Sequence, residues 1–168
     1  EMDWTKTEIF QVDERVAPAG SDQRNLTHLI ESLSIGAQGS IRPMPVTDDD
    51  LDAAAERYAE SLPEALDLAH MGIGPDGHTA SLVPGDPVLE VDDRRVAVTA
   101  GEYEGVRRMT LTYPELHRVR RLLWVVTGEK KVDALRKLLA RDPSIPAGRV
   151  EPDGDSLILA DRAAAPDS

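Results

Sequence analysis

The chain has 168 residues, 40% hydrophobic and 30% charged, with a formal net charge of −12 and no cysteine. That length suits a single domain with one core, and the acidic balance works against general attraction to nucleic-acid phosphates. Disulfides, thiolate metal sites and a cysteine nucleophile are excluded, and no apolar run approaches the roughly 18 residues of a membrane span.

Glu8 to Val12 reads as a short apolar strand that ends at a polar loop, Asp13, Glu14 and Arg15. After Pro18 and Gly20, Ser21 or Asp22 is expected to cap a helix with Leu26, Leu29, Ile30 and Leu33 at helical spacing, closed by Gly36 and Gly39. An extended connection, Ile41 to Val46, leads to Thr47 and the acidic run Asp48 to Asp50. Acids favour the positive end of a helix dipole, so a helix is predicted from there to about Leu62, stopped by Pro63. Leu66 to Met71 reads as a strand and His78 to Leu82 as a turn or two of helix, halted by Pro84. Val96 to Thr99 and Arg108 to Thr112 have strand character, and Pro114 opens a short helix. Leu122 to Thr127 reads as a buried strand and Glu129 to about Ala140 as a helix with Val132, Leu135, Leu138 and Leu139 on its apolar face. Ser156 to Leu159 is the last strand, with Asp161 expected to cap a small terminal helix. Apolar strands alternating with amphipathic helices predict an α/β fold, a mostly parallel doubly wound sheet with helices on both faces. No internal repeat is present.

Ligands of such sheets bind at the carboxyl ends of strands. That edge is expected to gather Asp13 to Arg15, Gly72 to Ser81, and the basic region at Arg107 and Arg108. Gly72, Gly74 and Gly77 have the literal spacing of a dinucleotide fingerprint, and Glu90, Asp92 and Asp93 follow at a plausible distance. A dinucleotide loop, however, opens a long helix at its third glycine, whereas Pro84 cuts this one short. Asp76 is also a poor neighbour for a pyrophosphate. An aspartate two residues before a histidine instead suits proton transfer, with Asp76 orienting or charge-stabilising the His78 imidazole. His28, His70 and His117 are scattered without metal-ligand spacing and are read as non-functional. Lys130 and Lys131 are read as a solvated helix face.

The segment "MGIGPDGHTASLVPG" (Met71 to Gly85) closely resembles the signature of 6-phosphogluconolactonases, within the glucosamine-6-phosphate isomerase/6-phosphogluconolactonase superfamily. The likeness extends to "FQVDERVAPAGSDQRN" from Phe10, "RRMTLTYPEL" from Arg107, "LLWVVTGEKK" from Leu122 and "LILADRAAA" from Leu157. It implies a fold similar to the sugar-phosphate isomerase/CoA-transferase-like fold and hydrolysis of 6-phospho-D-glucono-1,5-lactone, without metal or organic cofactor. In that pattern His78 is the general base, Asp76 holds its useful tautomer, and Arg15 with backbone N–H groups of the glycine loop binds sugar oxygens or the developing oxyanion. Asp13, Gly72, Gly74 and Gly77 join the substrate site. Arg108 is the candidate for the 6-phosphate, because a guanidinium pairs with phosphate through two hydrogen bonds.

The sequence departs from the family pattern in two places. Where the family commonly carries a Lys-Pro-Pro step, this chain has Tyr103, Glu104 and Gly105, and Arg107 is expected to compensate. Nothing resembles the family's N-terminal phosphate-cradling loop, so the 168 residues are expected to be the C-terminal two thirds of a longer lactonase domain. The implied ligand is a small sugar-phosphate lactone. Neither nucleic acid nor membrane is expected as partner, and the expected form is a cytoplasmic monomer. The alternatives are a glucosamine-6-phosphate deaminase, which resembles this architecture but places a glutamate where Val83 stands, and a non-catalytic sugar-phosphate-binding remnant.

Overall fold

Alternating apolar residues and short turns produce eight strands and four α-helices among the residues described by the computed structural model, 3–33 and 38–165. In chain order they are β1 (Ile9–Phe10), β2 (Asp13–Arg15), α1 (Asn25–Ser32), β3 (Ile41–Arg42), α2 (Leu51–Ser61), β4 (Ala69–Met71), β5 (Val96–Val98), β6 (Arg108–Leu111), α3 (Tyr113–His117), β7 (Arg121–Val126), α4 (Val132–Leu139) and β8 (Asp155–Ala160). Strands β4, β7 and β8 form a parallel sheet in the order β4-β7-β8, and β1 pairs in parallel with β3. A third sheet, β2-β6-β5, is antiparallel. The fold is therefore mixed α/β with mostly parallel pairing.

The core follows from these elements. Leu122, Trp124 and Val126 alternate inward along β7, and Trp124 is enclosed with Met71, Leu82, Met109, Leu111, Leu116 and Leu135. Helix α2 starts where the acidic run predicts, with the Asp50 carboxylate accepting from the Ala53 N–H at 3.0 Å. It buries Ala54, Ala55 and Tyr58. Across β7 and β8 the pairs Leu123–Leu157 and Val125–Leu159 form a second apolar face, and Val125, Leu157 and Leu159 remain 38%, 51% and 51% exposed.

Four expectations are corrected. Asp13 to Arg15 is a strand rather than a loop, because β6 supplies an antiparallel partner that the local sequence does not reveal. Helix α1 starts at Asn25, not beside Ser21 or Asp22, and its cap comes from a distance: the Glu14 carboxylate accepts from the N–H groups of Asn25 and Leu26 at 2.7 and 2.9 Å. His78 to Leu82 is a tight turn with a Thr79–Leu82 bridge and Ala80 at φ 47, so the chain never enters a helix there. Asp161 does accept from the Ala164 N–H at 2.8 Å, but closes only a turn. Gly36 lies outside the described residues, and Gly39 occupies a turn.

Candidate active site

Strand β4 delivers the glycine loop to the carboxyl edge of the parallel sheet, where ligands of α/β folds bind. The loop folds back on itself: the Gly74 N–H donates to the His78 carbonyl at 2.8 Å and the Gly77 N–H to the Gly74 carbonyl at 3.0 Å. Two glycines are required by geometry. A Cβ on Gly74 would stand 2.1 Å from His78 Nδ1 and 2.5 Å from Asp76 Oδ1, while Gly77 has φ +86 and would meet the Ile145 side chain at 2.5 Å. A Cβ on Gly72 meets nothing within 4 Å. Gly74 and Gly77 thus shape the loop with their amides engaged inside it, which removes them as free donors to a ligand. Gly74→Ala is expected to drive the imidazole off Asp76 and lower kcat/KM about 100-fold, the scale of a 1 Å misplacement of a reacting group. Steady-state kinetics beside circular dichroism checks this, with the spectrum unchanged.

The tight loop sets Asp76 against His78. Asp76 Oδ1 lies 2.7 Å from His78 Nδ1 and also accepts from the His78 N–H at 3.2 Å. Burial raises the Asp76 carboxyl, but the His78 hydrogen bonds, the imidazole's charge and the Tyr103 hydroxyl outweigh it and hold it below the ordinary carboxylate range. An ionised carboxylate only accepts, so it selects the tautomer with the proton on Nδ1. His78 Nε2, with no hydrogen bond among the described residues, keeps its lone pair for an incoming proton.

The β2–β6 ladder brings the two predicted arginines together, since Arg15 and Arg108 are direct cross-strand partners and share a face. Arg15 Nη1 donates to Asn25 Oδ1 and to the Gln23 carbonyl at 3.3 Å. Arg108 is 4% exposed, with its Nη2 2.9 Å from the Glu104 carboxylate and 3.1 Å from the Tyr103 carbonyl. The Nε atoms of both arginines are buried without a hydrogen-bond partner, so each guanidinium keeps donor capacity for an anion. Arg107, one residue along, is exposed and donates to the Thr99 carbonyl at 3.0 Å instead of facing this pair.

Asp13 ties the arginine ladder to the histidine loop. Its Oδ2 accepts from Ser81 Oγ at 2.6 Å and its Oδ1 from Asn25 Nδ2 at 3.0 Å. Burial pushes the Asp13 carboxyl up, against the opposing Ser81 hydrogen bond and the charges of Arg15 and Arg108. Glu14 points to the other side and is fully buried, with its carboxylate 2.9 Å from Arg24 Nε.

Three residues near the loop escaped the sequence reading. Ser81 lies inside the quoted glycine segment, yet only the fold reveals its bond to Asp13. Lys131, assigned to a solvated face, donates to the Ile73 carbonyl at 2.6 Å, so it stands at the glycine loop. Its place just past Gly128, at the carboxyl end of β7, was the available signal. Tyr103 gave no signal beyond its departure from the family pattern. Among the described residues no group of three His, Asp or Glu side chains is placed to hold a metal, and no helix is long and apolar enough to cross a membrane.

Comparison with known proteins shows the family. Residues 1–159 match the family model described as glucosamine-6-phosphate isomerases/6-phosphogluconolactonase. A 6-phosphogluconolactonase of Mycobacterium tuberculosis is 35% identical over 185 residues, covering 98% of this chain and 74% of the relative. One from Synechocystis is 32% identical over 180 residues, covering 97% and 74%. Among solved structures, the 6-phosphogluconolactonase of Thermotoga maritima superposes with a TM-score of 0.84 at 29% identity, covering 95% of this chain and 75% of that one.

Proposed function

The chain belongs to the glucosamine-6-phosphate isomerase/6-phosphogluconolactonase family and is an enzyme of the 6-phosphogluconolactonase type, and from that premise we propose His78 as the general base of the reaction. The substrate is 6-phospho-D-glucono-1,5-lactone. The observation that carries the proposal is the 2.7 Å approach of Asp76 Oδ1 to His78 Nδ1 with Nε2 left free. As a water oxygen forms its bond to the lactone carbonyl carbon, Nε2 takes the water proton and the carbonyl oxygen becomes an oxyanion. When that intermediate collapses, the bond from carbon to the ring oxygen breaks and Nε2 returns the proton to the departing oxygen; the new carboxyl group then releases the second water proton to solvent, giving 6-phosphogluconate. Asp76 stabilises the imidazolium that exists between the two transfers. Neither a metal nor an organic cofactor is needed for either transfer.

The arginine pair supplies the fixed positive charge. We assign Arg108 to the 6-phosphate, which displaces the exposed Glu104 carboxylate from its Nη2, and Arg15 to the lactone oxygens or the oxyanion. Asp13 holds the two halves of this site in register through Ser81 and Asn25. Val83 occupies the position where the deaminase reading asks for a glutamate, and it is buried, which favours lactone hydrolysis over ring opening of an amino sugar.

Arg108→Ala tests the phosphate assignment. Loss of a charge-assisted contact is expected to raise KM for the 6-phosphorylated lactone about 10- to 100-fold and to leave KM for glucono-1,5-lactone, which lacks the phosphate, almost unaffected. Equal changes in KM on both lactones would remove Arg108 from the phosphate site.

A further inference from the structure

Between Thr99 and Arg108 the chain forms a hairpin, and a side chain next to its tip reaches the catalytic pair. Residues 99–108 turn at Glu104 (φ 54) and Gly105 (φ 82), both in the left-handed region as a type I′ turn requires, with the Tyr103 N–H donating to the Val106 carbonyl at 3.0 Å. The hairpin is fastened at its base. Asp86 accepts from the N–H groups of Ala100 and Gly101 at 3.3 and 2.9 Å, and Thr99 Oγ1 accepts from the Arg108 N–H at 3.0 Å. The Arg108 guanidinium then lies 4.9 Å from the Tyr103 ring centroid and donates to its carbonyl, which fixes the ring from one side. On the other side the ring meets the His78 imidazole edge-on at 5.2 Å. The Tyr103 hydroxyl stands 3.2 Å from Asp76 Oδ2 and 3.4 Å from His78 Nδ1.

We propose that Tyr103 is a positioning residue for the catalytic pair: its hydroxyl donates to the Asp76 oxygen that His78 does not use and so locks the carboxylate's rotation and the imidazole's tautomer. The assignment of protons follows from donor capacity. His78 Nδ1 already donates along the shorter 2.7 Å contact, so it has no lone pair for the tyrosine, whereas Asp76 Oδ2 can only accept. Burial and the Asp76 charge raise the phenol above its ordinary value, which keeps it a donor at neutral pH. The charged and titratable groups around the pair are Asp76 on its own loop, Tyr103, Glu104 and Arg108 on the hairpin, and Lys131 at the Ile73 carbonyl. Besides His78, only Tyr103 touches the carboxylate among the described hydrogen bonds.

This inference rests on His78 acting as the base, and Tyr103→Phe tests it because the variant keeps the ring and its stacking while removing one hydroxyl. A hydrogen bond to a charged group at a partly exposed site is worth roughly tenfold, so kcat is expected to fall about 10-fold with KM within twofold of wild type. Without the hydroxyl, the carboxylate is free to rotate and no longer holds the proton on His78 Nδ1. The ring ¹⁵N NMR shifts of His78, which report the tautomer and require no turnover, should show the Nδ1–H form in wild type and a mixture of tautomers in the variant, so an inactive wild-type enzyme would sink the lactonase reading and leave this one still tested. An unchanged kcat or an unchanged tautomer would overturn the proposal. So would a rise in KM alone, because the hydroxyl would then be a substrate contact.

Discussion

His78→Ala should lower kcat/KM by about 10³- to 10⁴-fold, toward the upper range of what general acid–base catalysis contributes. The same Nε2 takes a proton from water and gives one to the ring oxygen, so both halves of the reaction lose their proton carrier. The loss is expected in kcat and not in KM, since the imidazole's advantage arises as water is deprotonated rather than when substrate docks. The thermal midpoint should hardly move, because the side chain is partly exposed on a loop and its hydrogen bonds are made to its own neighbours. Initial rates with spontaneous hydrolysis subtracted provide the measurement. A loss below tenfold would assign the proton transfers to another group.

Glu14→Ala should produce the largest stability effect, about 3 to 5 kcal/mol, the usual result of deleting one partner of a buried ion pair. For a chain of this size that corresponds to a fall of roughly 10 °C in thermal midpoint. The carboxylate accepts from Gln11 Nε2, from the N–H groups of Arg15, Asn25 and Leu26, and lies against the buried Arg24 guanidinium. Removing it strands a buried cation and uncaps α1, the helix that carries Asn25. Burial raises the Glu14 carboxyl, but the hydrogen bonds from Gln11, Arg24, Leu26 and Arg15 outweigh it and hold it below its ordinary value. A depressed carboxylate contributes stability above its unfolded value, about pH 4.3, and that contribution is lost as pH falls through the lower folded value. Glu14→Gln should therefore be destabilised at pH 7 and have a flatter acid limb than wild type. Melting curves across that range check both statements. A midpoint shift below about 2 °C for Glu14→Ala would mean that Arg24 finds another partner or water.

Much of this was legible along the chain because some signals are local. Asp50 caps its helix as a short acidic side chain at a helix start does, and the apolar run at Leu122 becomes the central strand of the parallel sheet. Asp76 and His78 are two residues apart, so a tight turn suffices to join them. The missed features depend on partners distant in sequence. Asp13 to Arg15 looks like a polar loop until β6, almost a hundred residues later, pairs with it. Glu14 looks solvated until α1 docks its N-terminus on the carboxylate. The apparent helix at His78 to Leu82 has plausible helical residues, but the Gly74–His78 hydrogen bond and the Ser81–Asp13 contact fix a turn that propensity cannot anticipate. Tyr103 is the clearest case, since no spacing rule links a hairpin tip to an aspartate 27 positions earlier.

The most direct test of the catalytic account is the rate at which the wild-type chain converts freshly prepared 6-phospho-D-glucono-1,5-lactone to 6-phosphogluconate, followed beside His78→Ala and with glucosamine 6-phosphate as a second substrate. The account predicts hydrolysis well above the spontaneous rate, its collapse in the variant, and no ammonia from the amino sugar. Hydrolysis no faster than the spontaneous rate, or ammonia released in its place, would contradict it.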